Sequence, residues 1–564
     1  MKRNFLKKDI KLETWADIEP YFEDLANREI SSEQELINWW QNRSETESFI
    51  EENAAWRYIK MSCDTENEKL SESYNYYVSE IDPKISEYTD KLDNKLISSE
   101  FVSALEKGKY FVPLRSVKKN IEIFRKENIP ILSELQKEER LYGSIAAKMT
   151  IHYKGEEITL QKAGNLLRQT DRELRKEIYE LINNRRIQDS EELNKLLTSL
   201  IEKRDTAAKN AGFKNYRDFK FVQLHRFDYD LKSCFDFHEA VKTKVCPLAD
   251  RILERHKQKL SYTSLKPYDT EVDSELKPPL NPFQTSEELL DKSIKVFTEI
   301  RPKYGDYLQK MKDGSFLDLA SRKGKAPGGY NYPLYESNIP FIFMNATGNL
   351  RDVETLMHEG GHAIHSFLSA DLELVDFKNV PSEVAELASM SMELISMEHW
   401  ETFFPDKEEL KRAKRTQLEG LISILPWVAT VDKFQHRLYE NPAHSVEERY
   451  KMWQEVSSEF HSKIIDYTDY ENFAKNTWQK QLHIFEVPFY YIEYGFAQLG
   501  AIAVWKNYKK NPGKALNDYE NCLKAGYSIT IPELYQKAGI EFNFSKEYIG
   551  ELMDFVKEEL EKLY

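Results

Sequence analysis

Cysteine is scarce in this chain. Four residues in 564, Cys63, Cys234, Cys246 and Cys522, lie far apart with no CxxC pair, which excludes a disulfide framework or a zinc ribbon and suits a reducing compartment. Positive charge is in deficit: 80 Lys and Arg stand against 95 Asp and Glu, and a net charge of −15 has the wrong sign for a nucleic-acid footprint. Long apolar runs are missing as well. No segment approaches a membrane span, and the basic start, MKRNFLKKDIKLETWADIEPYF, lacks the apolar stretch of a secretory signal. These absences predict a cytoplasmic protein without nucleic-acid or membrane partners, and no obligate protein partner is indicated.

What is present favours a large helical protein. Aromatics make up 13% of the residues, which argues against disorder, and 31% charged beside 41% apolar residues suits long helices with solvated outer faces. At 564 residues the chain exceeds one ordinary core, so two or three cores, or one assembly of connected helical subdomains, are expected. From about 15 to 139, apolar residues recur at helical spacing with little Gly or Pro between them, as in LINWWQNRSETESFIEENAAWRYIKMSC. KMTIHYKGEEITLQKA has Lys154-Gly155 between two alternating arms and predicts a hairpin, with helices resuming near Leu166. The run YTSLKPYDTEVDSELKPPLNPF, 262–283, is rich in Pro, Asp and Ser and is expected to be a long surface connection. A second irregular region, 322–349, holds Gly328-Gly329 and the strand-like runs YNYPLY and PFIFMN, which predict a small sheet; helical periodicity then returns from Leu350 to the end. The expected fold is mainly α and helix-rich, with a small β-sheet next to the helix described below.

That helix is NLRDVETLMHEGGHAIHSFLS. Asn349 is its expected N-cap, with Asp352 three residues on, and its third turn carries His358-Glu359-Gly360-Gly361-His362. Residues four apart on a helix differ by only about 40° in direction, so both imidazoles project from one face and can chelate one ion, with Glu359 beside the open position. With 12 histidines in the chain, about 0.04 such matches are expected by chance. Two consecutive glycines cost a helix roughly 1 kcal/mol each relative to alanine, and the close approach of another backbone accounts for them. The set fits one Zn2+ ion: two neutral imidazoles and a carboxylate leave a fourth position for a water, whose pKa falls to about 7, and Glu359 then serves as general base.

The third ligand has to come from elsewhere. His365 follows His358 by seven residues on the same face, but two turns of helix span about 10 Å, too far for three residues of one straight helix to reach a single tetrahedral ion. The next helix, NVPSEVAELASMSMELISMEHW, offers Glu383, Glu386 and Glu393, with Ser382 as its expected cap. Ala385, Ala388 and Ser389 around Glu386 permit close approach to the motif helix, so Glu386 is the choice, and Glu383 and Glu393 are the other carboxylates in reach. Glu354, one turn before His358, is a candidate outer acceptor.

These residues carry a resemblance. VETLMHEGGHAIHS, AELASMSMEL and HIFEVPFYYIEYGFAQLGA (483–501) are similar to the corresponding blocks of the oligoendopeptidase F and thimet oligopeptidase family of zinc peptidases, most of all its shorter bacterial members of Pz-peptidase type. The motifs cover about 328–500, while the N-terminal third agrees only in general character. The resemblance implies a prolate helical fold with a deep channel that admits unfolded oligopeptides, with 1–190 forming one wall and 191–564 the catalytic region. It puts Glu386 at the family's metal-ligand position. It implies that Tyr494 and His483, with Tyr491 and Tyr490, supply transition-state donors; His483, Tyr490 and Tyr494 share one helical face if the helix runs through Pro488. It further implies that substrate lies along PFIFMNATG by strand addition, touching Asn345 and Ala346, under a flexible loop at Gly328, Gly329 and Tyr330. The expected activity is hydrolysis of internal bonds in short oligopeptides. An exopeptidase with the same metal site and a non-catalytic peptide-binding scaffold are the competing classes, and an intact Glu359 speaks against the latter.

Overall fold

Helical periodicity becomes helix along most of the chain. In the computed structural model, which describes residues 3–564, the segments 3–122, 281–410 and 500–542 assemble into one compact unit, and 123–280, 411–499 and 543–564 into another. Among the described residues no helix is long and apolar enough to cross a membrane.

The first unit is organised by the helix Glu33–Cys63, whose N-cap Ser32 accepts from the Glu35 amide at 3.2 Å. Its early turns bury Leu36, Trp39 and Trp40 with Trp15, Phe22, Tyr88 and Leu92, and the same core takes in Leu374 and Phe377. Its later turns put Ala55 and Ile59 against Phe341 and Phe343 of a small sheet. The sheet has Phe341–Ala346 in the middle, parallel to Leu317–Ala320 and antiparallel to Tyr330–Tyr332. Two of these strands lie in the predicted runs; Leu317–Ala320 was not expected, because four residues are too short to show alternation. After the sheet the chain turns sharply at Gly348, φ 102°. The Asp352 carboxylate accepts the amides of Thr347, Gly348 and Asn349 at 2.8, 2.8 and 3.0 Å, while Asn349 caps the Asp352 amide. This reciprocal cap starts the helix Leu350–Leu368 at the expected residue and fixes where its third turn points.

The second unit contains the hairpin Thr150–Tyr153 with Glu156–Thr159. Lys154 and Gly155 both take positive φ, 51° and 83°, as a two-residue hairpin turn of this twist demands. Long helices Ser190–Asn210 and Lys407–Glu440 run through the unit. The connection 262–283 is irregular, as its composition predicts, but its first half is packed into the unit rather than lying on the surface. Leu265, Tyr268 and Val272 are buried, and Asp269, fully buried, pairs with Arg175 at 2.9 Å and Arg172 at 2.7 Å. A carboxylate satisfied by two guanidinium groups and the Lys266 amide can go inside, and it carries the polar segment with it.

Candidate active site

The helix Leu350–Leu368 packs along the helix Ser382–Ser396, and the second glycine of the motif, Gly361, shows how closely. A Cβ on Gly361 would lie 2.6 Å from Ser389 Cα and 2.8 Å from the Ala388 carbonyl oxygen; one on Gly360 would meet the Phe297 ring at 2.4 Å. Only glycine lets the second helix come this near. The second helix begins at Ser382, and the capping position falls on Pro381 without a side-chain cap, one residue before the expected one. Tyr519 Oη donates to the Ala388 carbonyl at 2.8 Å and holds that helix from behind.

The close approach brings three side chains together. Glu386 Oε2 lies 3.2 Å from His358 Nε2 and 3.7 Å from His362 Nε2, and the two imidazole centroids are 4.9 Å apart. Ligand atoms of the three residues all fall within 4.8 Å of one another. Ser389 Oγ donates to the same Glu386 oxygen at 2.9 Å. Glu393, one of the alternative ligands in sequence, stands behind the set: His358 Nδ1 donates to its Oε1 at 2.7 Å, which leaves the Nε2 lone pair for an ion. The signal for this role was the spacing, since Glu393 follows Glu386 by seven residues on one helix face. Glu383 is buried outside this ligand group, Glu354 pairs with Arg351 at 3.1 Å, and His365 is buried as packing.

Burial opposes protonation of His358, yet the Glu386 and Glu393 carboxylates outweigh it and raise it well above the usual histidine range. Burial pushes Glu386 up, but the hydrogen bond and charge of His358, the charge of His362 and the Ser389 hydroxyl outweigh it and hold the carboxyl at about 2. Burial drops His362 to about 4 and His365 to about 3, so both are neutral imidazoles near neutral pH. Two imidazole nitrogens and an ionised carboxylate are a donor set for zinc. Glu359, 7% exposed, is pushed up to about 7 by burial, in the range a general base needs. Asn331 Nδ2 donates to its backbone carbonyl at 3.1 Å, tying the sheet to the motif; no pattern in the sequence signals this contact.

In the second unit the segment 483–494 also draws its side chains together, by a different route from the single helix considered in sequence. The helix does not run through Pro488: it stops at Glu486, the chain turns with Phe489 at φ 68°, and a new helix spans Tyr491–Lys510. The His483 ring nonetheless lies 4.7, 5.8 and 6.1 Å from the rings of Tyr491, Tyr494 and Tyr490. The turn is braced by Arg226, which donates to the Phe489 carbonyl and pairs with Glu493 at 2.6 Å.

The profile of peptidase family M3 matches residues 165–554, and that of the M3 N-terminal domain matches residues 5–124. This chain belongs to peptidase family M3. The M3 chain is 23% identical to oligopeptidase PepF of Bacillus subtilis over 71% of its own length and 58% of that protein. It is 25% identical to an oligoendopeptidase F homologue of Borreliella burgdorferi over 66% of its own length and 64% of that protein. It thus spans about six-tenths of the length of these relatives. A solved structure of Pz peptidase A with an inhibitor superposes with a TM-score of 0.91 at 25% identity, over 99% of this chain and 98% of that one.

In this M3 chain the glycine loop expected over the substrate rests on the sheet. Asn345 Nδ2 donates to the carbonyls of Ala326 and Gly328 at 2.9 Å each, and Gly328 takes φ 96°. The Tyr330 ring stacks on Phe343 at 4.7 Å, with its hydroxyl 2.6 Å from Ser62 Oγ. Phe341–Phe343 is paired with Tyr332–Tyr330, while Ala346 lies beyond that pairing and is matched with Ala320 on the other side.

Proposed function

We propose that this protein is a zinc-dependent endopeptidase that hydrolyses internal bonds of short unfolded oligopeptides. One observation carries the reading: two imidazoles and a carboxylate from adjacent helices converge within 4.8 Å, beside a buried glutamate pushed up to about 7. Family M3 membership and the names of its relatives, oligopeptidase and oligoendopeptidase, support the substrate class.

His358, His362 and Glu386 hold a single ion, and Glu393 fixes the tautomer and orientation of His358. When bound, zinc supplies Lewis acidity toward the scissile carbonyl and the attacking water. Glu359 takes one proton from that water as the C–O bond forms and passes it to the amide nitrogen as the C–N bond breaks, giving one carboxylic acid and one amine per water. Tyr494 and His483, with Tyr491 and Tyr490 around them, donate hydrogen bonds to the oxyanion that develops on the carbonyl oxygen. The peptide binds at Ala346 and Asn345 under the loop of Gly328, Gly329 and Tyr330. The dispersed cysteines support a cytoplasmic setting.

The test is a mass-spectrometric cleavage map of a mixed library of end-blocked peptides, with and without a zinc chelator, on the wild type and Glu359→Gln. Internal cuts abolished by chelator, together with a variant that keeps its zinc and loses about 10²–10⁴ in turnover, support the reading. Cuts confined to free termini, or a zinc-loaded variant with near-normal turnover, refute it.

A further inference from the structure

Away from this centre, two helices of the second unit each carry a pair of metal-ligating side chains four residues apart: Cys234 and His238 on Leu231–Ala240, and Asp432 and His436 on Lys407–Glu440. One turn of spacing puts each pair on one helix face. All four are at most 3% exposed. His238 Nε2 and His436 Nε2 both donate to Asp432 Oδ2, at 2.9 and 3.1 Å. Ligand atoms of Cys234, Asp432 and His436 lie within 4.8 Å of one another. Donors around a tetrahedral zinc sit about 3.3–3.5 Å apart, a difference that side-chain rotation closes.

A second, independent feature points to a ligand. Asp432 Oδ1, His436 Nδ1 and His238 Nδ1 are buried without a hydrogen-bond partner, a state native interiors rarely leave polar atoms in. The enclosure is apolar: Phe235 and Phe489 lie 5.2 and 5.3 Å from the His436 ring, and Phe460 lies 6.4 Å from His238. The Asp432 carboxylate meets two imidazoles there and, among the described residues, makes no ion pair with a Lys or Arg. A thiolate, a carboxylate and a neutral imidazole carry two negative charges, which one divalent ion cancels. The mixed sulfur, nitrogen and oxygen set favours an ion of the zinc class over calcium or magnesium.

We propose that Cys234, Asp432 and His436 form a second metal site, structural and closed, for one zinc-class divalent cation, with His238 holding the Asp432 carboxylate. Binding displaces the Cys234 thiol proton to solvent. Phe235, 43% exposed and against both histidines, is the entry side. The ion ties the two helices together, and through Phe489 packed on His436 it stiffens the turn from which Tyr490 and Tyr491 emerge.

The probe is cobalt(II), added to chelator-stripped protein and followed by absorption and metal analysis. The centre at His358, His362 and Glu386 has no sulfur, so a thiolate-to-cobalt charge-transfer band in the near ultraviolet reports the second site alone. Wild type is expected to hold two cobalt ions per chain and to show the band; Cys234→Ser is expected to hold one and to lack it. Wild-type protein that binds cobalt without the band, or a band that survives Cys234→Ser, overturns the assignment, and the wild-type spectrum decides even if the variant fails to fold.

Discussion

Replacing Gly361 by alanine tests whether helix spacing sets the metal geometry. The new Cβ would lie 2.6 Å from Ser389 Cα and 2.8 Å from the Ala388 carbonyl oxygen, both backbone atoms that cannot swing aside. Carbon atoms pack at about 3.5–4.0 Å, so the helix Ser382–Ser396 must retreat by roughly 1 Å. Stability falls by up to about 2 kcal/mol net: overpacking costs about 1–3 kcal/mol, and alanine returns about 1 kcal/mol of helix propensity. Metal binding is far less tolerant. Glu386 lies one turn before Ser389 on the displaced helix, and ligand distances have to hold within about 0.2 Å. Zinc affinity, measured by competition with a chromophoric chelator, is expected to fall by about 10–100-fold, the range seen when groups supporting metal ligands are disturbed. Gly360→Ala is the control, because its Cβ meets the tip of the Phe297 side chain on the separate helix Ser286–Ile300. It is expected to lower stability while leaving zinc affinity near wild type. A Gly361→Ala protein with wild-type zinc affinity, beside a Gly360→Ala protein that loses it, would refute the reasoning.

Glu393→Gln keeps the shape but removes the charge that fixes His358 Nδ1–H, so zinc affinity should drop by about 10–100-fold without loss of fold; unchanged affinity by the same competition assay would deny Glu393 this role. Burial raises Glu359 to about 7, and in its proposed role as general base the ionised form is the active one, so kcat/KM is expected to fall as pH drops through its pKa. A bound divalent ion favours the carboxylate, which sets the acid limb between about 4.3 and about 7; a flat profile across that window on the zinc enzyme would contradict it. Asp269→Ala leaves the Arg175 guanidinium buried and uncompensated and should cost about 3–5 kcal/mol in urea denaturation, against almost nothing if 262–283 were a solvated loop.

The sequence by itself determined the local elements whose signals are local. Period 3.6 gave the helices, Lys154-Gly155 the hairpin, and Asn349 with Asp352 the start of the motif helix, because capping, turn and periodicity act within a few residues. It also determined that His358 and His362 project from one face of their helix, since an i, i+4 pair needs nothing beyond its own helix. Tertiary structure decided what depends on partners distant in the chain. The convergence of Glu386 on the two imidazoles, with Glu393 behind His358, rests on how closely two helices pack at Gly361. The burial of the segment around Asp269 rests on Arg172 and Arg175, about a hundred residues earlier. The clustering of His483 with three tyrosines survives a helix break at Pro488 that one-helix spacing cannot describe. The pairing of Cys234 with Asp432 and His436 joins two helices that no spacing rule connects, since contact between remote segments is set by packing and leaves no trace in local periodicity.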